Sequence, residues 1–397
     1  MATGTNGSKQ LPRSDYADFA IALASGLILA ICAIFFVSVL FSGKMAGSRD
    51  FVSYWSTGVQ LRRHSDPYNW EQMMALQHAA HLDAKGVLFM RNPPWALPLA
   101  YPLGFLELRV GAFIWNILLL GCLLTSVHLV RVMHGSPNNY AHWLGVAFTP
   151  AIICLNMGQT GLLTLLGLVL FLRFNRIHPF AAGLALWLCS LKPHLLLPFA
   201  AALLAWIIVS RSYRILAGWI LAMVTSTALA WWIDPQAWAR YTALMRSNPV
   251  QYEFVPCLSD AIRFWIHPQW IWLQYLPAAF ACVWALVFFW RRRSTWDWLD
   301  NGSPLLLVSV LAAPYCFPPD QCLAIPAVLH GMYRTRSRAL TALLALILLA
   351  IQFEAWKVRI ISGYFMWLAP TWLVWYLLAV RSADTQETAA ESAAAHS

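Results

Sequence analysis

Long apolar segments recur along nearly the whole chain and restrict what it can fold into. A bilayer core of about 30 Å is crossed by roughly 20 apolar residues in a helix. We predict spans at 17–41, 109–131, 140–155, 160–174, 178–191, 194–209, 213–233, 270–290, 303–315, 321–333, 338–353 and 364–380. The sequence therefore predicts an all-α, polytopic membrane protein of about twelve helices. The short pairs around Gly158, Lys192 and Pro318 are alternatively single broken segments, which changes this count by about two.

Composition supports the same class. Hydrophobic residues make up 60% of the chain and charged residues 11%, against about 45–50% and about 25% in soluble domains. Too little polar surface is available to coat a water-soluble particle, and the same values exclude a disordered chain and a coiled coil. The net charge of +10 does not indicate nucleic-acid binding, because the basic residues follow the membrane topology.

The basic residues predict the orientation, since short cytoplasmic loops of membrane proteins are enriched in Lys and Arg. With a cytoplasmic N-terminus, short outer loops hold only Lys192, Lys357 and Arg359. The inner loops hold Lys9, Arg13, Arg131, Arg173, Arg176, Arg211, Arg214, Arg291, Arg292, Arg293, Arg334, Arg336, Arg338 and Arg381. Both termini are therefore expected in the cytoplasm.

These patterns divide the chain into three parts. We expect a cytoplasmic N-terminus at 1–16, a transmembrane domain at 17–381 and a disordered cytoplasmic tail at 382–397. Two long outer segments, 42–108 and 234–269, interrupt the transmembrane domain. The cysteines form no metal or redox pattern, and spacing leaves open whether Cys257, Cys316 or Cys322 pair on the outer side.

The first outer segment is rich in polar residues. Apolar residues recur at helical spacing over 50–62, which predicts an amphipathic helix on the outer surface with Asp50 near its start. A second surface helix is expected at 70–85. The rigid turn Arg91-Asn92-Pro93-Pro94-Trp95 and a short apolar piece, 96–106, follow it.

Three more polar groups lie at predicted outer helix ends. They are 156–161, which contains Gly158 and Gln159, then Lys192-Pro193-His194, and 314–321, which contains Asp320. Each contains a helix breaker, which frees backbone amides where water reaches them. All three face the compartment that Asp50 faces. A cavity with a carboxylate, a lysine, a histidine and amides suits a phosphate-bearing lipid substrate.

Each of these residues also has a structural interpretation. Asp50 and Asp320 are suited to helix capping, and Lys192 to reaching the headgroup region along its alkyl chain. His194 is suited to an interfacial position, Gln159 to bonding a freed carbonyl, and Arg91 to contacting a lipid headgroup.

The ordered motifs resemble glycosyltransferase family 87. The resemblance rests on Arg49-Asp50-Phe51, Asp66-Pro67-Tyr68, Asn92-Pro93-Pro94, Pro98, Pro102, Gly158-Gln159, Lys192-Pro193 and Ala313-Pro314-Tyr315 with Asp320, and runs from about 48 to 330. Family 87 belongs to the GT-C superfamily, and its best-known members are polyprenyl-phosphate-mannose-dependent mannosyltransferases of mycobacterial phosphatidylinositol mannosides. The resemblance implies a GT-C fold and an inverting transferase of the bacterial plasma membrane that acts on its outer face in cell-envelope biosynthesis. The family's general-base candidate maps onto Asp50.

Two departures from the family pattern concern the sugar. Many relatives carry Asn where this chain has Gly161, and many carry a histidine in the late motif, where Cys316, Phe317 and Pro318-Pro319-Asp320 stand here. The resemblance therefore does not fix the donor sugar, which stays mannose or another hexose or pentose.

Inverting transfer needs a base for the acceptor hydroxyl and stabilisation of the leaving phosphate. We assign Asp50 as the base and four residues to the donor phosphate: Lys192, His194, Arg91 and Gln159. Sugar or acceptor contacts are expected from Arg49, Tyr54, Asn92 and Asp320. The partners are a polyprenyl-phosphate-linked sugar, a lipid or glycan acceptor and membrane lipids, with no nucleic acid. No cofactor is predicted, and the lack of an Asp-x-Asp motif does not exclude a divalent metal.

Two other functions compete with transfer. A lipid-linked-sugar transporter or flippase has a similar helix number and broken helices, but its charges are expected at mid-membrane positions open to both sides. A non-catalytic envelope scaffold would not require a clustered carboxylate, lysine and histidine.

Overall fold

The structure is a computed structural model that describes residues 21–23, 25–27, 29–30, 49–82, 86–247, 254–335, 337–358 and 361–395. These residues are helical with no β-strand among them, which confirms the predicted all-α, polytopic class. From residue 49 onward the helices are α1 (Arg49–Arg62), α2 (Trp70–Ala79), α3 (Leu97–Ala100), α4 (Leu108–Met133), α5 (Ala141–Val146), α6 (Thr149–Met157), α7 (Gly161–Phe174), α8 (Pro179–Cys189), α9 (Leu197–Ser210), α10 (Tyr213–Ile233), α11 (Ala237–Ser247), α12 (Leu258–Ile266), α13 (Leu276–Arg292), α14 (Trp298–Ala312), α15 (Ile325–Arg334), α16 (Arg338–Lys357) and α17 (Leu368–Ala395).

Short 3₁₀ turns extend several of these helices. They are Pro94–Ala96, Tyr101–Phe105, Pro193–Leu196, Ile271–Tyr275, Arg293–Thr295, Pro318–Ala324 and Gly363–Phe365. Four of them carry Pro in their first turn, where its missing N–H has no helical partner to lose.

Within the described residues, six helical segments are long and apolar enough to cross a membrane. They are Leu108–Met133, Pro193–Ser210, Tyr213–Ile233, Ile271–Thr295, Arg338–Lys357 and Gly363–Ala383. Two shorter apolar helices, α7 and α8, lie among them. The spans expected at 140–155, 303–315 and 321–333 correspond to shorter helices, and the span expected at 17–41 lies mostly outside the described residues.

Small residues bring α8 and α10 into close contact. Gly183 in α8 faces the backbone of Ile215, and Gly218 in α10 faces the backbone of Phe180, so that a Cβ at either glycine would collide with main-chain atoms. Membrane helices commonly use such small residues to approach closely. This packing fixes α8, which leads directly into the Ser190–Lys192 connection.

Helix α1 lies deeper than the expected surface position. Phe51, Val52, Thr57 and Leu61 are all almost fully buried, and the backbone of Gly58 packs directly on that of Gly104. Only a residue without a side chain permits this approach. Helix α1 therefore packs against α2, α3 and the 3₁₀ turn Tyr101–Phe105 and is not a surface helix.

Two helices end at other residues than expected. The second surface helix ends at Ala79, before the expected residue 85. The last helix continues to Ala395, where a disordered tail was expected from residue 382. This tail is rich in Ala, the best helix former, and it directly continues a membrane helix that has already nucleated. Cys257, Cys316 and Cys322 carry free thiols.

Candidate active site

The start of α1 meets the turn between α6 and α7. Asp50 is the acidic residue in the first turn of α1, where the helix dipole favours a negative charge, and its side chain is half-buried. Gly158 ends α6 with a φ of 70°, a left-handed conformation that suits glycine. A Cβ on Gly158 would lie 2.8 Å from the Cβ of Phe51. The Gly158 turn therefore fixes where Asp50 sits.

The indole of Trp115 secures this contact from α4. Its Nε1 donates to the carbonyl oxygen of Gly158 over 2.8 Å, and its ring lies 6.3 Å from Phe51 and 5.8 Å from Tyr54, centroid to centroid. One buried tryptophan thus contacts α1 and the Gly158 turn together.

Lys192 lies at the centre of the polar network. It follows α8 and precedes the 3₁₀ turn Pro193–Leu196. Its ammonium donates to Gln159 Oε1 over 2.8 Å and to Asp320 Oδ1 over 2.5 Å. Three breaks predicted from the sequence, at Gly158, Lys192 and Pro318, therefore converge through these two bonds.

Asp320 has both carboxylate oxygens occupied. Oδ1 binds Lys192, and Oδ2 accepts the backbone N–H of Phe317 over 3.1 Å. The side chain is 2% exposed. Asp320 is therefore a buried counter-ion that orients Lys192 and caps its own turn, and its predicted contact with the sugar or acceptor stays a prediction.

The charged groups of this network affect the pKa of Tyr54. Burial raises the pKa of the Tyr54 hydroxyl, the Asp50 carboxylate raises it further, and the Lys192 ammonium opposes both. Tyr54 therefore lies within electrostatic reach of both groups. Burial alone would lower the pKa of Lys192, but the Asp320 carboxylate outweighs it, and the pKa is raised. Lys192 is held as a cation.

His194, two residues after Lys192, forms an aromatic stack beside the polar network. Its ring stacks on Tyr315 with centroids 3.8 Å apart and an angle of 27° between the planes. Tyr315 is itself influenced by Tyr241 and by Asp320, although burial is the main cause of its raised pKa. The stack forms one wall beside the Lys192 cation.

Arg91 and Asn92 contact residues next to the Lys192 network. The Tyr241 hydroxyl donates to the carbonyl of Arg91 over 3.3 Å. Asn92 is buried, and its Nδ2 donates to the carbonyl of Leu191 over 2.9 Å. Asn92 thus connects the Pro93-Pro94 turn to the residue before Lys192, and its predicted contact with the sugar or acceptor stays a prediction.

The structure brings together most of the predicted site residues. Lys192, Gln159 and Asp320 are in direct contact, Tyr54 links them electrostatically to Asp50, and His194 is two residues from Lys192. Arg49 is the first residue of α1, but its side chain lies outside the described residues.

Sequence patterns missed the aromatic residues that frame the network. Tyr315 belongs to the quoted Pro314-Tyr315 motif, which could have indicated it. Tyr241 and Trp115 carry no local signal, because their contacts are made with residues far away in the chain. Gly161, the departure from the family pattern, is enclosed by the thiols of Cys154 and Cys322, which a Cβ would approach to 3.1 and 3.2 Å.

Among the described residues, no group of three or more His, Cys, Asp or Glu side chains is arranged to hold a metal ion. The chemistry available from these residues is that of a carboxylate at a helix start and a buried, oriented ammonium. Together these groups can accept a proton at one position and stabilise a developing negative charge at another.

Comparison with known proteins gives one family. The family model described as glycosyltransferase family 87 matches residues 89–318, more than half of the chain. The matched region contains Gln159, Lys192 and His194, whereas Asp50 precedes it. No curated protein and no solved structure matches the chain.

Proposed function

The chain belongs to glycosyltransferase family 87, and we propose that it moves a hexose or pentose from a polyprenyl-phosphate-sugar to a lipid or glycan acceptor. It is a membrane glycosyltransferase. In this proposal the protein lies in a bacterial plasma membrane with both termini in the cytoplasm, and the site opens on the outer face.

One observation carries the proposal: a buried lysine, oriented by Gln159 and Asp320, shares a site with the carboxylate at the start of α1. An ammonium has three N–H donors, and Gln159 and Asp320 account for two of those on Lys192. The third is available for a phosphate oxygen. Such preorganised donors stabilise charge without reorganising during the reaction.

In the proposed reaction, Asp50 takes the proton of the acceptor hydroxyl as its oxygen attacks the anomeric carbon. The bond between that carbon and the phosphate oxygen breaks, and the polyprenyl phosphate leaves with the electron pair. Because attack and departure occur on opposite faces of the sugar, the configuration inverts. Lys192 stabilises the leaving phosphate, with Gln159 and His194 beside it.

A lipid monophosphate suits this site. It needs less charge neutralisation on leaving than a nucleotide diphosphate, and the Lys192 ammonium is shared with Asp320. Sugar contacts are proposed for Tyr54 and for the His194–Tyr315 stack, whose ring faces offer apolar surface. Asn92 and Asp320 act as positioning residues, and Arg91 supplies a peripheral positive charge.

The test uses the purified full-length protein with a panel of polyprenyl-phosphate sugars and an envelope lipid acceptor fraction. Release of free polyprenyl phosphate together with labelled acceptor supports the proposal. Transfer from nucleotide sugars alone would remove the polyprenyl donor while keeping the transferase. Movement of the intact donor across proteoliposomes without release would favour the flippase.

The role of Asp50 is tested by Asp50→Asn. We expect transfer to fall about 10²–10⁴-fold, because the amide cannot accept the proton, with unchanged thermal unfolding. The matched control is Glu71→Gln, since Glu71 is also a first-turn carboxylate of an outer helix but is exposed and away from the network. Full activity of Asp50→Asn would remove Asp50 as the base.

A further inference from the structure

A second polar region lies at the opposite ends of the helices that carry the active site. Lys192 directly precedes the apolar segment Pro193–Ser210, and Arg211 directly follows it. These 18 residues separate the two levels by about 27 Å at a rise of about 1.5 Å per residue. Arg211 therefore belongs to the other membrane face.

A cavity of about 380 Å³ opens at this face. It lies between the connection from α7 to α8 and the connection from α9 to α10. Its lining residues are Asn175, Arg176, Pro179, Trp206, Arg211, Ser212 and Arg214. Three guanidinium groups and no carboxylate thus surround a space within the size range of small-ligand sites.

The three arginines of the cavity differ in whether their side chains already contact other protein groups. Arg176 donates to the carbonyl of Trp296 over 2.9 Å and lies 3.6 Å from Asp297. Arg211 and Arg214 are exposed, and the structure gives their side chains no carboxylate within ion-pair distance among the described residues. The cavity therefore carries excess positive charge.

Two backbone features distinguish this end of the cavity. The 21-residue helix α10 begins at Tyr213 without a side-chain cap, so its first amides face this end of the cavity and favour negative charge. Arg211 occupies a left-handed position with a φ of 54°, where glycine is the usual residue. A guanidinium is thus placed here at a position that a glycine would adopt more easily.

The surroundings of the cavity are apolar and lipid-facing. Ile177, Ile208, Val209 and Tyr213 are each roughly half exposed beside the lining residues. Exposed side chains of this kind on membrane helices contact acyl chains. A ligand here is therefore expected to combine an anionic head with hydrocarbon chains.

We propose that this cavity binds the phosphate of an anionic phospholipid headgroup, with Arg176, Arg211 and Arg214 contacting the phosphate and the acyl chains lying along α9 and α10. Planar guanidinium groups suit phosphate oxygens because they donate two parallel hydrogen bonds. The site is separate from the proposed donor site, because it lies at the other end of α9.

The experiment is native mass spectrometry of the detergent-purified full chain titrated with phosphatidylglycerol, phosphatidylcholine or inorganic phosphate. We expect one retained phosphatidylglycerol and weaker retention of phosphatidylcholine. Arg211→Gly and Arg214→Ala should each weaken phosphatidylglycerol binding about tenfold, since each removes charge-assisted hydrogen bonds. Arg211→Gly suits the left-handed backbone, so its thermal unfolding is expected to be unchanged or improved.

Arg291→Ala is the matched control, because Arg291 is an exposed arginine in the last turn of α13, outside the cavity lining. Its phosphatidylglycerol binding should equal that of the wild type. Equal loss in Arg291→Ala, or no loss in Arg211→Gly and Arg214→Ala, would overturn the proposal. Inorganic phosphate that binds as tightly as phosphatidylglycerol would identify a small-anion site and would also overturn it.

Discussion

Two buried ion pairs among the described residues are built differently. Lys192 and Asp320 are 128 residues apart in the chain, and their side chains are 12% and 2% exposed. Asp260 and Arg263 lie within α12, 2.8 Å apart in an i,i+3 arrangement, and are 0% and 1% exposed.

The difference concerns what each pair can do besides stabilise the fold. The Asp260–Arg263 pair is closed off from solvent, and Asp260 also accepts the N–H of Val255 over 2.7 Å, so it organises its own helix. The Lys192–Asp320 pair joins two helix breaks, is slightly exposed and includes Gln159. Burial alone thus does not distinguish the two pairs, whereas partners from distant segments and residual access do.

The largest effect is expected from Asp320→Ala. It leaves the Lys192 ammonium buried without its counter-ion, which typically costs about 3–5 kcal/mol, and it frees the lysine to leave the position proposed for the donor phosphate. Stability and transfer should both fall. Thermal unfolding in detergent and the donor-release assay measure the two effects.

Asp260→Ala is the comparison for this variant. It should also lower stability, because Arg263 then loses the carboxylate with which it is paired, but the remaining folded fraction should transfer sugar at the wild-type rate with an unchanged KM. A change of KM in Asp260→Ala, or wild-type transfer by Asp320→Ala, would erase the distinction between the two pairs.

Replacing both members of each pair separates stability from activity. Buried ion pairs replaced by apolar residues of similar volume are often about as stable as the original. Lys192→Met with Asp320→Leu should therefore recover most of the stability lost in Asp320→Ala but no transfer. Asp260→Asn with Arg263→Leu keeps an acceptor for the Val255 N–H and should retain both.

The sequence predicted the parts of this contrast that depend on local patterns. Gly158, Pro193 and Pro318 break helices because of their own backbone chemistry, so the three polar sites could be located in advance. The pairing of Lys192 with Asp320 could not, because nothing in either segment specifies a partner 128 residues away. The stacking of His194 on Tyr315 is hidden for the same reason.

The sequence pattern also could not predict how deeply α1 is buried. Its polar face suggested contact with water, but Ser53 and Ser56 donate to carbonyls of their own helix, and Gln77 donates to Ser56 Oγ over 3.3 Å. Hydroxyls satisfied in this way can be buried at little cost. Helical periodicity indicates which face is apolar, and it does not show whether the polar face is covered.

A smaller effect is expected from Gly158→Ala, which perturbs one pair but not the other. The residue must adopt a left-handed φ, which costs about 1–2 kcal/mol, and its Cβ would press on Phe51. We expect a modest loss of stability and a rise in KM through displacement of α1 and Gln159. Gly121→Ala in α4 is the control, because a Cβ there meets nothing within 4 Å; equal kinetic effects of the two variants would show that the Gly158 turn does not position the site.

The smallest effect concerns pH. Asp320 outweighs the burial of Lys192 and raises its pKa above the ordinary 10.5, so the ion pair contributes fully below that value and is lost only as pH rises through the higher folded-state pKa. From about pH 6 to 9, the stability difference between wild type and Lys192→Met with Asp320→Leu should stay constant. Thermal unfolding at three pH values measures this difference. If burial dominated the pKa of Lys192 instead, this stability difference would change toward pH 9. Lys192 would then be a poor cation for a departing phosphate.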